Sequence, residues 1–395
     1  MLKAAESLAA DGHDVHVVSA NFVQWGTAGD AELRSRLGIP CSVVDYSRDT
    51  GKRLRIRAGV RYRACRVLGK TFGPEQLPVT LLGCATTRAL PELVQMAAGI
   101  PSDLLYGGGS ALVATVLAAK RLGVPYAIDL EDFHGAERAA TVPEGEFSNQ
   151  LAQTAEKIVF EEAAFLTTAS SAIADQYALT YGKRPLVINN TFPLPSHEPD
   201  FAPVGDAGLR FYWFSQTIGP DRGLQDAVRA AGRAGMKCEL HLRGNPVSGY
   251  IDRLSLIAKE CAPRLTLVHH DLENPDRMVD LCRDYHVGLA LELSDPLNRA
   301  LCLTNKAFTY ILAGLAVVFT DTPGQRALAM DLGPGALLYS QGDVERLAQG
   351  LRLWATNPSQ LLAARQAAWA AACRRWHWQH PDEEGTLLRA VRSVS

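Results

Sequence analysis

The chain has 395 residues, enough for two or three domains at roughly 150 residues each. With 40 Lys and Arg against 42 Asp and Glu, its formal charge is −2, which argues against a general nucleic-acid binder. Hydrophobic residues at 47% and charged residues at 21% exclude dominant disorder and supply sizeable cores.

The first residues, Met1 to Asp14, carry Lys3, Glu6 and Asp11 and contain no apolar stretch, so they do not read as a signal peptide. The chain opens on a predicted helix, Leu2 to Ala10, followed by Gly12. Predicted strands then run over Val15–Ser19, Ser42–Asp45, Leu104–Tyr106, Tyr126–Leu130, Phe165–Ala169 and Leu186–Asn189, with helices at Ala111–Leu122 and Ser171–Tyr181. Pro193 to Gly208 holds four prolines and little periodicity, and reads as a linker. The alternation restarts beyond it. Strands are predicted at Phe211–Phe214, Glu239–Arg243, Leu265–His269, Val287–Leu291, Val317–Thr320 and Ala336–Tyr339. Helices fit Gly223–Ala234, Ile251–Cys261, Pro275–Tyr285, Asn305–Ala313, Val344–Thr356 and Pro358–Cys373. Strands alternating with helices favour parallel sheets covered on both faces, and two consecutive Rossmann-like domains are the simplest arrangement. Such a domain normally starts with a strand and a Gly-rich turn, and that strand is absent here. The chain either starts downstream of the true start or does without it.

The eight cysteines include no C-x-x-C pair, which argues against a disulfide framework and a zinc site and for buried thiols in a reducing compartment. The apolar run Tyr310–Phe319 is too short to span a bilayer, which takes about 20 residues. The expected location is cytoplasmic, at most peripheral to a membrane.

Several segments, in order, carry a resemblance. They are "MLKAAESLAADGHDVHVVS" from Met1, "PSDLLYGGGSALVATVLAAKRLGVPYAIDLEDFHGAE" from Pro101, "FLTTASSAIADQYALTYGKRPLVINNTFP" from Phe165, "FYWFSQTIGPDRGLQDAVRAAG" from Phe211 and "LTNKAFTYILAGLAVVFTD" from Leu303. Together they resemble the GT-B glycosyltransferases of the family-4 type. The resemblance implies an α/β protein with two Rossmann-like domains facing across a cleft: an acceptor domain over residues 1–195, a nucleotide-sugar domain over 209–375, and a C-terminal helix within 376–395 crossing back to the first. It further implies transfer of a sugar from a nucleotide-sugar donor to a hydroxyl of a glycan or lipid-linked glycan, with retention, without an essential metal and with no cofactor beyond the donor itself.

A metal-free site must neutralise the departing diphosphate with helix N-termini and fixed cations. Gly219 to Gly223 lies between a strand and a helix, with Arg222 at the position of the family's Lys; the family's Arg five residues earlier is Thr217. Asn305 reads as an N-cap, and Lys306 in the first turn opposes the helix dipole, so a nearby anion would explain it. The family's donor-contacting carboxylates are replaced by Leu301 and Thr309. Donor binding is therefore expected at Gly219, Arg222, Asn305, Lys306 and Thr309, with Arg243, His270 and Leu272 at strand ends toward the nucleotide. His269, His270 and Asp271 lack a third ligand at useful spacing for a metal.

In the first half, Asp129 to His134 is the densest titratable cluster. Asp132 and His134 are expected to orient or deprotonate the acceptor hydroxyl, with Glu131, Gly108 and Gly109 also on the acceptor side. Gly107 to Ser110 is not a G-x-G-x-x-G fingerprint; its glycines admit close approach of a substrate or simply make a turn, and Ser110 is the natural N-cap. From Lys52 to Lys70 there are eight basic residues and no acidic one, which suits an anionic membrane or a lipid-phosphate acceptor, or a plain solvated face. Trp376 and Trp378 read as packing at the return of the final helix. The competing expectation is a GT-B-like binding or partner subunit without catalysis, suggested by Thr217, Leu301, Thr309 and the absent strand.

Overall fold

The computed structural model describes residues 1–22, 34–47, 51–139, 141–206 and 208–394. The chain forms two compact units. One comprises Met1–Ile188 with Pro296–Asn298 and Glu384–Ser395; the other comprises Asn189–Asp295 and Arg299–Glu383.

In the first unit all described strands are parallel. β1 (Val17–Asn21) pairs with β2 (Cys41–Asp45), and β3 (Leu105–Gly108), β4 (Tyr126–Asp129), β5 (Phe165–Thr168) and β6 (Leu186–Val187) form a separate sheet in sequence order. A doubly wound sheet places its first strand between the second and the fourth. Among the described residues the sheet is interrupted at that place, between β1 and β3. The helix Leu112–Leu122 covers β3 and β4, and its Val113, Ala114 and Ala118 pack with Leu82, Leu90 and Leu151. Gly107 is needed for that approach, because a Cβ there would meet the Thr115 hydroxyl at 1.8 Å. The Gly107–Gly109 run thus serves strand-to-helix packing at its first position and a turn at its third, where Gly109 has φ +56°. Ser110 is not the cap of this helix; it lies in a 3₁₀ turn, Gly109–Ala111, that precedes Leu112. The chain-terminal elements join the same unit: the Ser7 hydroxyl donates to Glu384 Oε1 at 2.6 Å, and Arg392 pairs with Asp11. The final helix is Glu384–Arg392, shorter than residues 376–395.

The second unit holds one six-stranded parallel sheet. Its strands are β7 (Leu209–Ile218), β8 (Cys238–Pro246), β9 (Leu265–His270), β10 (Val287–Ala290), β11 (Ala316–Thr320) and β12 (Ala336–Tyr339), in the order β12-β11-β10-β7-β8-β9. Counted within the unit this is 6-5-4-1-2-3, the doubly wound Rossmann order, which reverses between β7 and β10. Both faces are covered, so strand residues are apolar on both sides. Leu209, Phe211 and Trp213 of β7 pack with Leu224 and Val228, while Tyr212 packs on the opposite face with Phe308 and Tyr310. Two expectations need correction here. The helix expected over Pro275–Tyr285 is only Met278–Cys282 after a 3₁₀ turn, and β8 runs past Arg243 to Pro246. Trp376 and Trp378 precede the last helix and pack in this unit: Trp376 donates to Asp331 at 2.7 Å, and the Trp378 N–H donates to the Phe192 carbonyl at 2.8 Å.

All eight cysteines are free thiols; four are buried and two exposed, so they are less uniformly buried than expected. Among the described residues no helix is long and apolar enough to cross a membrane, and no group of His, Cys, Asp and Glu could hold a metal.

Candidate functional site

Open α/β sheets bind ligands beyond the carboxyl ends of their strands, where the strand order reverses. In the second unit that place lies beyond β7 and β10. The chain leaves β7 through Gly219 and a 3₁₀ turn, Pro220–Arg222, then enters the helix Leu224–Ala234 at Gly223, whose φ is +67°. Gly223 is required: its Cβ would already stand 3.0 Å from Leu291, the residue after β10. The next residue, Glu292, is 2% exposed. Lys306 Nζ lies 3.1 Å from Glu292 Oε1, and Arg299 lies 3.2 Å from Oε2. Burial alone would raise the Glu292 pKa, but Lys306, Arg299 and Arg222 outweigh it and hold the carboxyl below its ordinary range. Arg222 is itself half-buried, and burial together with repulsion from Arg299 lowers its pKa. Three cations therefore gather around one carboxylate, and two of them repel one another.

Lys306 is paired with Glu292, and the charge of Arg222 acts on the same carboxylate. The anion that explains Lys306 in a first helical turn is this buried glutamate rather than only an external group. Sequence reasoning missed Glu292 and Arg299; the available signal was a carboxylate closing an otherwise apolar strand, in "GLALEL". Asn305 is not the N-cap. It is the first residue of the helix Asn305–Leu312, and Thr304 occupies the cap without a side-chain bond; its hydroxyl is buried without a partner. Thr309 is fully buried and donates to the Asn305 carbonyl at 3.0 Å, so its hydroxyl turns back into its own helix. Leu301 is buried as well. Gly219 adopts extended backbone, and a Cβ there would stand at ordinary contact distance, 3.4 Å, from the Val247 side chain.

Arg243, His270 and Leu272 form a neighbouring group. Arg243 donates to the Tyr212 hydroxyl and to the Asp271 carbonyl, both at 2.7 Å. His241 is hydrogen-bonded to His270 at 2.9 Å and to Glu239 at 3.1 Å, and burial with nearby Arg243 lowers the His270 pKa. Leu272 is exposed.

In the first unit, the end of β4 and the loop after it collect Asp129, Glu131, Asp132 and His134. Glu131 is exposed and held at φ +55°, one of two non-glycine residues with positive φ among those described. Such backbone costs on the order of 1–3 kcal/mol and persists where the surroundings impose it. Asp129 accepts from the Thr167 hydroxyl at 2.9 Å, and burial raises its pKa. His134 lies 3.5 Å from Glu137 through Nδ1, while its Nε2 is buried without a partner. Burial alone would lower the His134 pKa; Glu137, Glu156 and Asp132 outweigh it and the shift is upward. Two residues unseen in the sequence hold this loop. Glu156, fully buried, accepts from the Tyr177 hydroxyl at 2.6 Å, the Tyr181 hydroxyl at 2.8 Å and the Gly135 N–H at 3.0 Å. Asn298 donates to Asp132 at 3.1 Å and accepts from the Phe133 N–H at 2.7 Å. Gly108 is packed so that a Cβ would sit 2.9 Å from the Asp129 carbonyl oxygen.

Comparisons with known proteins agree with this architecture. Residues 1–190 match the family model of the glycosyl transferase 4-like domain. No curated protein matches. Among solved structures, HepE of Anabaena in complex with UDP-glucose superposes with a TM-score of 0.65 at 15% identity, covering 100% of this chain and 95% of its own. Sucrose-phosphate synthase of Thermosynechococcus elongatus gives 0.65 at 13%, with 100% and 92% covered. The lipopolysaccharide outer core galactosyltransferase WaaB gives 0.58 at 11%, with 96% and 99% covered. Residues 1–190 thus match a glycosyl transferase 4-like domain, and the full length shares the GT-B fold of these structures.

Proposed function

We propose that the chain moves a sugar from a nucleotide-sugar donor to a hydroxyl of a glycan or lipid-linked glycan, with retention and without a bound metal, at the cytoplasmic face of a membrane. The observation that carries the donor reading is the excess of Arg222, Arg299 and Lys306 over Glu292 where the strand order reverses. A diphosphate supplies the missing negative charge, and repulsion between Arg222 and Arg299 falls when an anion lies between them. The unpartnered Thr304 hydroxyl and the N–H groups of Asn305 and Lys306, which open the helix Asn305–Leu312, supply further donors. HepE, whose structures contain UDP and UDP-glucose, supports a uridine nucleotide as the first donor to try. Arg243, His270 and Leu272 would flank the nucleotide.

On the acceptor side, His134 Nε2 and the Asp132 carboxylate would orient the incoming hydroxyl, with Glu131, Gly108 and Gly109 beside it. The departing diphosphate would take the proton as the hydroxyl attacks from its own side, which yields retention. WaaB acts on lipopolysaccharide outer core by its name, which supports a lipid-linked acceptor.

The decisive measurement is UDP and UDP-glucose binding by calorimetry, followed by nucleotide release with candidate acceptors. Wild-type binding that weakens at least tenfold in Arg222→Ala supports the donor site; equal affinity in the two removes it. Leu301 and the inward-turned Thr309 favour a second reading, a donor-binding partner subunit without catalysis. Tight nucleotide binding with no transfer to any acceptor, alone or with a co-purifying transferase inactivated, selects it.

A further inference from the structure

The basic segment from Lys52 forms one helix, Lys52–Phe72, of 21 residues, about 30 Å long. Its inner face is set by Ala58, Cys65 and Gly69, which are buried; Gly69 faces the Phe147 ring and Leu77. The cations divide accordingly. Arg61 is bound to Glu92 and the Arg88 carbonyl, and Arg66 and Lys70 are bound to Glu144. Arg53, Arg57 and Arg63 are exposed and have no partner among the described residues.

The outer face is not simply basic. Ile56, Val60, Val67 and Phe72 are each 59 to 63% exposed, and Leu68 is 37% exposed. Positions 53, 56, 57, 60, 63, 67 and 68 recur at three- and four-residue steps, so they share one side of the helix. Arginines and branched aliphatic side chains are therefore interleaved along a single exposed stripe. A solvated helix has no need of the aliphatics, and its first turn would carry acidic residues; this one carries Lys52, Arg53 and Arg55 against the helix dipole. At the C-terminal end of the stripe, Leu68 and Phe72 form one wall of a notch of about 290 Å³, closed by Gln76, Leu77, Pro78 and Leu81. That is near the lower limit of ordinary ligand pockets and suits a length of hydrocarbon chain.

We propose that the outer face of Lys52–Phe72 lies in the headgroup region of an anionic phospholipid bilayer, with an acyl chain entering the notch beside Phe72. Ile56, Val60 and Val67 enter the acyl boundary. The stems of Arg53, Arg57 and Arg63 lie along them while their guanidinium groups reach lipid phosphates. The occupant is a bilayer rather than a protein because the cations sit within the apolar stripe instead of rimming it, and no acidic residue lies between Lys52 and Lys70. This deepens the membrane part of the reading above and is independent of its donor chemistry.

Full-length protein is to be sedimented with vesicles of equal parts phosphatidylglycerol and phosphatidylcholine, and with phosphatidylcholine alone. Binding is expected to the first and weak or absent to the second, falling as salt rises. Replacing Arg53, Arg57 and Arg63 together by Gln should weaken binding on the order of a hundredfold, about fivefold per cation. Val60→Ser with Val67→Ser should weaken it at least tenfold at unchanged charge. Phe72→Trp should gain fluorescence quenching over wild type with lipids brominated in the acyl chain. Equal binding to both vesicle types, or full binding by either multiple variant, overturns the proposal; quenching of Phe72→Trp no greater than wild type overturns the notch. UDP affinity serves as the control. These exposed substitutions leave it unchanged, so vesicle binding lost with UDP binding intact bears on the surface alone, and UDP binding absent from every form bears on the donor reading alone.

Discussion

The side-chain amide of Asn298 donates to the Asp132 carboxylate and accepts from the Phe133 N–H, 166 and 165 residues away in sequence. Asn298 belongs to the short segment Pro296–Asn298 that packs with the first unit, while the next residue, Arg299, belongs to the second. One amide thus fixes both the carboxylate and the backbone of the loop ahead of His134.

Asn298→Ala leaves a buried N–H without its acceptor. It should cost about 1–3 kcal/mol of stability in urea denaturation. Transfer rate should fall while UDP affinity stays within about twofold. A rate equal to wild type would show that Asp132 needs no such support.

Glu292→Gln removes the carboxylate on which Lys306, Arg299 and Arg222 all act. The free protein should lose on the order of 3 kcal/mol, since partners of a broken buried pair are left uncompensated. UDP should then raise the melting temperature by more than it does in wild type, because the anion replaces the lost charge. An equal or smaller shift would place the diphosphate elsewhere. The pH dependence follows from the same residue. Its native pKa lies below its ordinary value of 4.5, so its stabilisation is present above about pH 4.5 and lost as pH falls through the lower native value. Glu292→Gln should flatten that part of the stability profile.

His134 has the opposite sign. Its native pKa lies above the ordinary 6.5, so the protonated form stabilises the fold below that value, and the gain disappears as pH rises through the native pKa. Nε2 can accept a hydrogen bond from the acceptor hydroxyl and orient it only when unprotonated, so kcat/KM should climb with pH along a limb centred above 6.5. His134→Gln should abolish the limb and lower the rate by about 10²-fold or more. An unchanged limb would assign it to another group.

Gly107→Ala tests the packing role of the glycine run. Its Cβ would overlap the Thr115 hydroxyl, so the helix Leu112–Leu122 must shift, with a loss of about 1–3 kcal/mol measured by thermal unfolding. Gly107→Ala combined with Thr115→Ala should recover part of the loss.

The chain's local periodicity determined a great deal: every strand expected from alternation exists, in parallel sheets, and the restart after the proline-rich segment matches a second Rossmann sheet. Periodicity is legible because each residue's face depends only on its near neighbours in sequence. It was less informative for Lys52–Phe72, where arginines interrupt the apolar stripe, and for Gly145–Glu162, whose buried Glu156 reads as a surface charge until Tyr177 and Tyr181 reach it. Which charges meet was decided by the tertiary structure alone. Glu292 became the partner of Lys306 and Arg299 because β10 is inserted beside β7, and Asn298 met Asp132 because a short stretch of the second half folds with the first unit. Electrostatic and hydrogen-bond pairing acts over a few ångströms of space at any separation along the chain, so those partners were fixed by strand order and not by any motif.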